Sequence, residues 1–233
     1  MKRAAALRAV AEVGDGMAVG LGSGSTAAFA LEGLAERVAG GLRIVGIPTS
    51  EATATLARRL GIPLAGFDEQ RRIDLTIDGA DQVERGTLHL IKGLGGALLR
   101  EKIVAAASAR LIVAVDESKL VDRLGGRTPL PVEIVPFGWQ TTIDRLAALG
   151  CAPQLRKAAG QIVTTDGGNY IADCAFPEIP DPAALEARLS SIVGVIETGL
   201  FIGLASTVMV GRPAGVEIIA ARPLNAALGP SGV

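Results

Sequence analysis

The sequence predicts an α/β fold: a parallel sheet with helices on both faces, and a smaller α+β unit in the second half. Three observations predict it. Short apolar runs alternate with helix-compatible stretches through the first half, and continuously apolar strands belong to sheets buried on both faces. The alternation breaks at Thr128-Pro-Leu-Pro131, where the prolines forbid a helix and mark a linker or a sheet edge. Beyond it the order reads β-α-β-β-α-β, that of a small split-βαβ unit. With 233 residues, 49% of them apolar, the chain can bury a sizeable core.

The elements follow in order. The N-terminal stretch is Ala-rich and helix-compatible. Residues 17–21 read as a buried strand ending in a Gly/Ser turn, 25–38 as a helix, 42–47 as a strand and 50–60 as a helix. Residues 75–77 and 88–91 are short strand candidates, 97–108 a helix and 111–115 another buried strand. In the second unit 133–136, 154–156, 170–176 and 195–201 read as strands, with helices at 141–149 and 182–190. Residues 207–210 and 216–220 are again strand-like, with the first sheet as a place to return to, and 229–233 read as a frayed tail.

Composition narrows the function. A net charge of −1 leaves no electrostatic footprint for nucleic acid and no polybasic membrane patch. An anionic ligand must then be met by a local cluster. Cys151 and Cys174 fit no zinc or redox spacing; one disulfide is conceivable, and two free thiols of a reducing compartment is the favoured reading. The N-terminus lacks a signal peptide's apolar core, and no apolar run reaches the ~18 residues of a membrane span. A cytoplasmic protein is expected. His89, the single histidine, alternates with leucines and reads as structural or surface. A Ser-His-Asp triad or a multi-histidine metal site is therefore unavailable, and acid–base work falls to carboxylates or lysine. Trp139 and Tyr170 read as packing residues.

Four stretches could carry chemistry. Gly20-Leu-Gly-Ser-Gly-Ser-Thr26 joins a strand to a helix. Free N–H groups there, with the hydroxyls of Ser23, Ser25 and Thr26, suit a phosphate; the plainer reading is a tight turn with Ser25 or Thr26 as N-cap. The glycine spacing matches neither a P-loop nor a dinucleotide fingerprint. Asp78-Gly-Ala-Asp81 follows a short strand. Its carboxylates can face a sugar hydroxyl or share a proton, or only satisfy an Asx-turn; a metal is a further option, with no histidine or third carboxylate nearby to complete it. In Lys92-Gly-Leu-Gly-Gly-Ala-Leu98, a lysine leads a glycine turn into a helix that carries Glu101. Backbone N–H groups of that turn, with Lys92, could form an oxyanion hole; Arg100, Glu101 and Lys102 could equally be a solvated face. The fourth, Asp116-Glu-Ser-Lys119, follows the strand 111–115 and ends in Lys119, a phosphate partner or a surface lysine. What favours function is grouping: each turn follows a strand and can converge on one sheet edge.

Together these stretches resemble the type A ribose-5-phosphate isomerase family. Pro129-Leu-Pro-Val-Glu-Ile-Val-Pro136, Thr165-Asp-Gly-Gly-Asn169 with Ile171-Ala-Asp173, and Glu197-Thr-Gly-Leu-Phe201 also match, and the resemblance runs along nearly the whole chain. Gln82, where an acidic residue is common, and Leu94, which interrupts the glycine run, depart from the pattern. The resemblance implies a Rossmann-like domain over 1–127 plus 204–233 and a ferredoxin-like domain over 128–203. It implies a homo-oligomer, dimer or tetramer, and a place in the non-oxidative pentose phosphate pathway. Glu101 looks like the general base, and Asp78, Asp81 and Lys92 like the sugar-handling and charge-stabilising set. Ser23, Gly24, Ser25, Thr26, Gly79, Ala80, Gly93, Leu94, Gly95, Lys119 and Lys2 look like substrate binders. Interconversion of ribose 5-phosphate and ribulose 5-phosphate is expected, through a cis-enediolate and without metal or redox cofactor. Rival readings fare worse. An amino-sugar-phosphate deaminase needs a catalytic histidine in a loop. A sugar-phosphate sensor of transcription needs a helix-turn-helix, for which no room precedes the first helix.

Overall fold

The computed structural model describes residues 1–221; the tail expected at 229–233 lies outside them. A six-stranded sheet runs, edge to edge, through Gly215–Ala220, Thr207–Arg212, Leu111–Asp116, Leu75–Asp78, Ala18–Leu21 and Val45–Pro48. Every neighbouring pair is parallel except the first. From Ala18–Leu21 the chain steps outward to Val45–Pro48, then crosses back to Leu75–Asp78 on the other side. That reversal opens a crevice beyond the carboxyl ends of Ala18–Leu21 and Leu75–Asp78, where open α/β sheets take their ligands.

The strands are apolar on both sides because both sides are covered. Along Leu111–Asp116 the side chains alternate with the period of a strand. Ile112 and Ala114 pack with Ile77 and Met209 against Ala5, Ala9, Leu31 and Leu34 of helices Lys2–Val10 and Gly24–Ala39. Leu111, Val113 and Val115 face the other way, with Val208, Val210 and Phe201. Helix Leu98–Ala106 lies on that second side, where Val104 packs with Ala18 and Ile47. Glu101 is thereby carried on a helix whose packing fixes its position.

The second unit is a four-stranded antiparallel sheet in the order Val195–Thr198, Leu130–Ile134, Tyr170–Ala175, Ala152–Leu155, the ferredoxin-like arrangement. Helices Trp139–Ala147 and Pro182–Ser190 bury Leu146, Leu185 and Leu189 against its Val132, Ile134 and Ala172. Trp139 and Tyr170 pack at the margin of this core, and Cys151 and Cys174 are free thiols.

The local structure departs from the sequence reading in informative places. Pro131 does not mark a linker or edge; Leu130–Ile134 is an inner strand. Its carbonyl accepts the Gly199 N–H at 2.7 Å. The missing proline donor therefore faces the point where Val195–Thr198 has ended, so no ladder bond is lost. The run 195–201 is not one strand. It breaks at Gly199, and Leu200–Phe201 enters a small sheet with Leu90–Ile91, Gln82–Glu84 and Leu120–Val121. Gly199 joins the two sheets, since its carbonyl also accepts the Lys92 N–H at 2.9 Å. A Cβ there would stand 2.3 Å from the Lys92 carbonyl oxygen, so only glycine permits the contact. The run 88–91 shortens because Leu88 adopts a φ of 56°, outside the extended region. The run 42–47 pairs only from Val45. A short exposed hairpin, Lys157–Ala158 with Gln161–Ile162, gave no apolar pattern to read.

Candidate active site

The first loop of the crevice is built on close backbone approach. Gly22 donates to the Ile77 carbonyl at 3.0 Å, and a Cβ on it would lie 2.2 Å from Asp78 Oδ1. Its absence lets the Ser23 N–H reach that carboxylate at 3.1 Å. The Ser23 hydroxyl is engaged in a cluster with Thr49 and Ser50 at 2.8 Å and Thr53 at 3.0 Å. Ser23 is thus an N-cap whose side chain caps nothing, and the first N–H groups of helix Gly24–Ala39 are left to a ligand. Lys2 Nζ stands 3.5 Å from Ser25 Oγ and 3.9 Å from Asp116 Oδ2. Lys119, in the 3₁₀ turn Glu117–Lys119 after strand Leu111–Asp116, faces the same space.

The second and third loops bring four ionisable groups together. Lys92 Nζ lies 3.0 Å from Asp78 Oδ2, 3.4 Å from Glu101 Oε1, and donates to the Gly79 carbonyl at 2.6 Å. Its ammonium also stands 5.5 Å from the centre of the Phe201 ring, within cation–π range. Asp78, Lys92 and Glu101 are all buried. Burial pushes the Lys92 ammonium down, but Asp78 and Glu101 outweigh it and hold Lys92 above the usual lysine range. For Glu101 burial is the larger effect and exceeds the help from Lys92, so its pKa is pushed up to about 8. Glu101 Oε2 is buried without a hydrogen-bond partner among the described residues. Asp81 is less buried; its Oδ2 accepts the Leu94 N–H at 2.9 Å.

These loops line one cavity of about 520 Å³. Asp81, Lys92 and Glu101 line it, as do Lys2, Ser23, Gly24, Ser25, Thr26, Gly79, Ala80, Gly93, Gly95 and Lys119. Two of the residues singled out in the sequence are not in the wall. Asp78 lies behind it, its Oδ1 held by the N–H groups of Ser23 and Gly79 and its Oδ2 by Lys92. The Leu94 side chain is exposed, and its N–H is turned onto Asp81. Among the described residues no group of three or more histidine, cysteine, aspartate or glutamate side chains could hold a metal ion.

The arrangement has close counterparts. The family model described as Ribose 5-phosphate isomerase A (phosphoriboisomerase A) matches residues 45–215. The ribose-5-phosphate isomerase A of Gloeobacter violaceus is 60% identical over 94% of this chain and 95% of its own. The chain belongs to the ribose 5-phosphate isomerase A family. The solved ribose 5-phosphate isomerase A of Methanocaldococcus jannaschii superposes on this isomerase with a TM-score of 0.90 at 41% identity, covering 94% of this chain and 97% of that one. A D-ribose-5-phosphate isomerase solved in complex with phospho-erythronic acid matches equally, with TM-score 0.90, 41% identity and the same two coverages. The isomerase therefore carries out aldose–ketose isomerisation of ribose 5-phosphate. No helix among its described residues is long and apolar enough to cross a membrane.

Several residues of this isomerase's cavity escaped the sequence reading. Val163, Thr164, Thr165 and Asp166 form part of the wall from the ferredoxin-like unit. Asp166 reaches across to accept the Glu51 N–H at 2.8 Å, with Arg100 Nη1 3.6 Å from the same carboxylate oxygen. Thr165-Asp-Gly-Gly-Asn169 was visible as a matching stretch, but nothing local said that it faces a helix N-terminus 115 residues earlier in the chain. The hydroxyls of Thr49, Ser50 and Thr53 were likewise unread; they are ordinary helix-start residues until Ser23 is placed against them. Gln82, the departure from the family pattern, has a structural use. Its side-chain amide donates to the Gly125 carbonyl at 2.8 Å and accepts the Gly125 N–H at 2.9 Å.

Proposed function

We propose that Glu101 is the general base of this isomerase, taking the proton from C2 of the open-chain aldose and returning it to C1 through a cis-enediolate. The carrying observation is the placing of Glu101: the residue lines the cavity, its Oε1 stands 3.4 Å from the Lys92 ammonium, and its Oε2 is buried without a hydrogen-bond partner among the described residues. A carboxylate base works best when its pKa lies near the working pH, and about 8 meets that. Charge on the enediolate oxygens is met by Lys92 and by N–H groups of the Gly93–Gly96 turn. The phosphate sits at the other end, on the start of helix Gly24–Ala39 with Ser25, Thr26, Lys2 and Lys119. There it supplies binding energy that aligns C1 and C2 over Glu101.

The two aspartates divide the remaining work. Asp78, behind the wall, fixes Lys92 and the Ser23 loop. Asp81, in the wall, is the carboxylate able to shuttle the proton that opens the sugar ring. The phospho-erythronic acid of the related complex has four carbons and a planar carboxylate, an approximate copy of the enediolate, and it suits this division of the cavity. The reading includes two domains, 1–127 with 204–233, of which 222–233 lie outside the described residues, and 128–203, the second roofing the site through Val163–Asp166. It also includes a cytoplasmic homo-oligomer acting in the non-oxidative pentose phosphate pathway. Conversion of ribose 5-phosphate to ribulose 5-phosphate by purified, EDTA-treated protein tests it: sustained turnover supports a base-catalysed route, and turnover that returns only with added metal overturns it.

A further inference from the structure

We infer that Arg156 is a positioning residue for the reaction, acting through the Gly93–Gly96 turn; this rests on the reading of that turn as the enediolate site. Arg156 follows strand Ala152–Leu155 in the antiparallel sheet, and its side chain is 14% exposed. One side of the guanidinium is held by Asp173, which accepts from Nε at 2.8 Å and from Nη2. From the other side Nη1 donates to two successive carbonyls, Gly93 at 3.0 Å and Leu94 at 2.9 Å. A planar fork can hold a carboxylate and two carbonyls at once; a lysine ammonium cannot.

The consequence follows from peptide geometry. In a trans peptide the C=O and the following N–H point in opposite directions. With the Gly93 carbonyl drawn to Arg156, the Leu94 N–H must point away, and it does, onto Asp81 at 2.9 Å. With the Leu94 carbonyl drawn the same way, the Gly95 N–H points away from Arg156 too. Gly95 is in the cavity wall, and its N–H makes no hydrogen bond among the described residues. Arg156 thus aims one peptide donor at the ring-opening carboxylate and the next at the substrate. Its charge also polarises both peptides, making each N–H a stronger donor. A donor fixed in advance costs no reorganisation when negative charge develops.

A purely structural clamp would affect folding and all ligands alike; a positioning role discriminates between them. For R156Q, turnover number and affinity for phospho-erythronic acid should fall together, by about tenfold to a hundredfold, a little under the loss of one oxyanion donor. The KM for ribose 5-phosphate and competition by inorganic phosphate should move less than about threefold, because ground-state binding rests on the phosphate end. D173N should shift turnover and analogue affinity in the same direction, less far. If R156Q does not fold, R156K keeps the charge without the fork and serves the same comparison. Unchanged turnover and analogue affinity in a folded variant would overturn the role, as would an equal loss of analogue and phosphate binding. E101Q run in parallel separates the failures: an active E101Q defeats the underlying mechanism, whereas an inactive E101Q beside a normal R156Q defeats only the part given to Arg156.

Discussion

Lys92 Nζ stands 3.4 Å from Glu101 Oε1, with both side chains buried. Desolvating a charge costs several kcal/mol unless a partner holds it; Asp78 holds Lys92 at 3.0 Å, whereas for Glu101 burial outweighs the help from Lys92 and favours the neutral acid. The contact also couples charge to chemistry. In the proposed mechanism, Glu101 becomes neutral on taking the C2 proton, and the Lys92 ammonium is freed to face the enediolate that forms at the same moment.

The rate should follow the ionisation of that base. Glu101 must be deprotonated to act, and its pKa is pushed up to about 8. In the free enzyme kcat/KM should therefore rise about tenfold per pH unit below that value and level off above it. A pH–rate profile with ribose 5-phosphate checks this, and a profile flat from pH 6 to 9 would contradict it.

Stability should move the opposite way. Glu101 titrates at its ordinary 4.5 when unfolded and at about 8 when folded. Between these values the folded chain keeps a proton that the unfolded chain has released, so stability falls as pH rises. E101Q removes that dependence. The variant should melt several degrees above the parent at pH 8.5 and close to it at pH 4.5, as read by calorimetry at both values.

Asp78 and Asp81 should separate by assay. D78N leaves Lys92 one buried partner fewer, and breaking such a pair costs about 3–5 kcal/mol, visible in denaturant unfolding. D81N should leave stability within about 1 kcal/mol, since it loses one exposed hydrogen bond. Its defect should lie in ring chemistry: exchange of the C1 proton of ribulose 5-phosphate with solvent persists, while net formation of ribose 5-phosphate slows. Equal loss of both signals would contradict the division.

The phosphate end should govern binding. A hydrogen bond to a charged group is worth about 1.5–3 kcal/mol, so K119M and K2M should each raise KM for ribose 5-phosphate about tenfold or more. Activity toward unphosphorylated ribose should not change. A drop in kcat with unaltered KM would place these lysines elsewhere in the reaction.

Much of this was readable in the sequence, and what was not has physical reasons. Apolar runs such as Leu111–Asp116 show themselves because both faces of the strand are buried. Glycine turns after strands show themselves because few side chains fit there. Pro131 misled because its tolerance depends on where a neighbouring strand ends, which no local signal carries. Residues 195–201 misled because Gly199 exchanges one sheet for another without interrupting the apolar pattern. Arg156 and Asp166 were missed because both act across the join between units, on partners 62 to 115 residues away. A charged residue near a strand end gives no sign of which backbone it will meet.

The most direct test of the central claim is the turnover of E101Q with ribose 5-phosphate. The account predicts a loss of about a thousandfold or more, with unchanged circular dichroism and intact binding of inorganic phosphate. Near-normal turnover in a folded E101Q would contradict it, and the base would have to be sought elsewhere in the cavity wall.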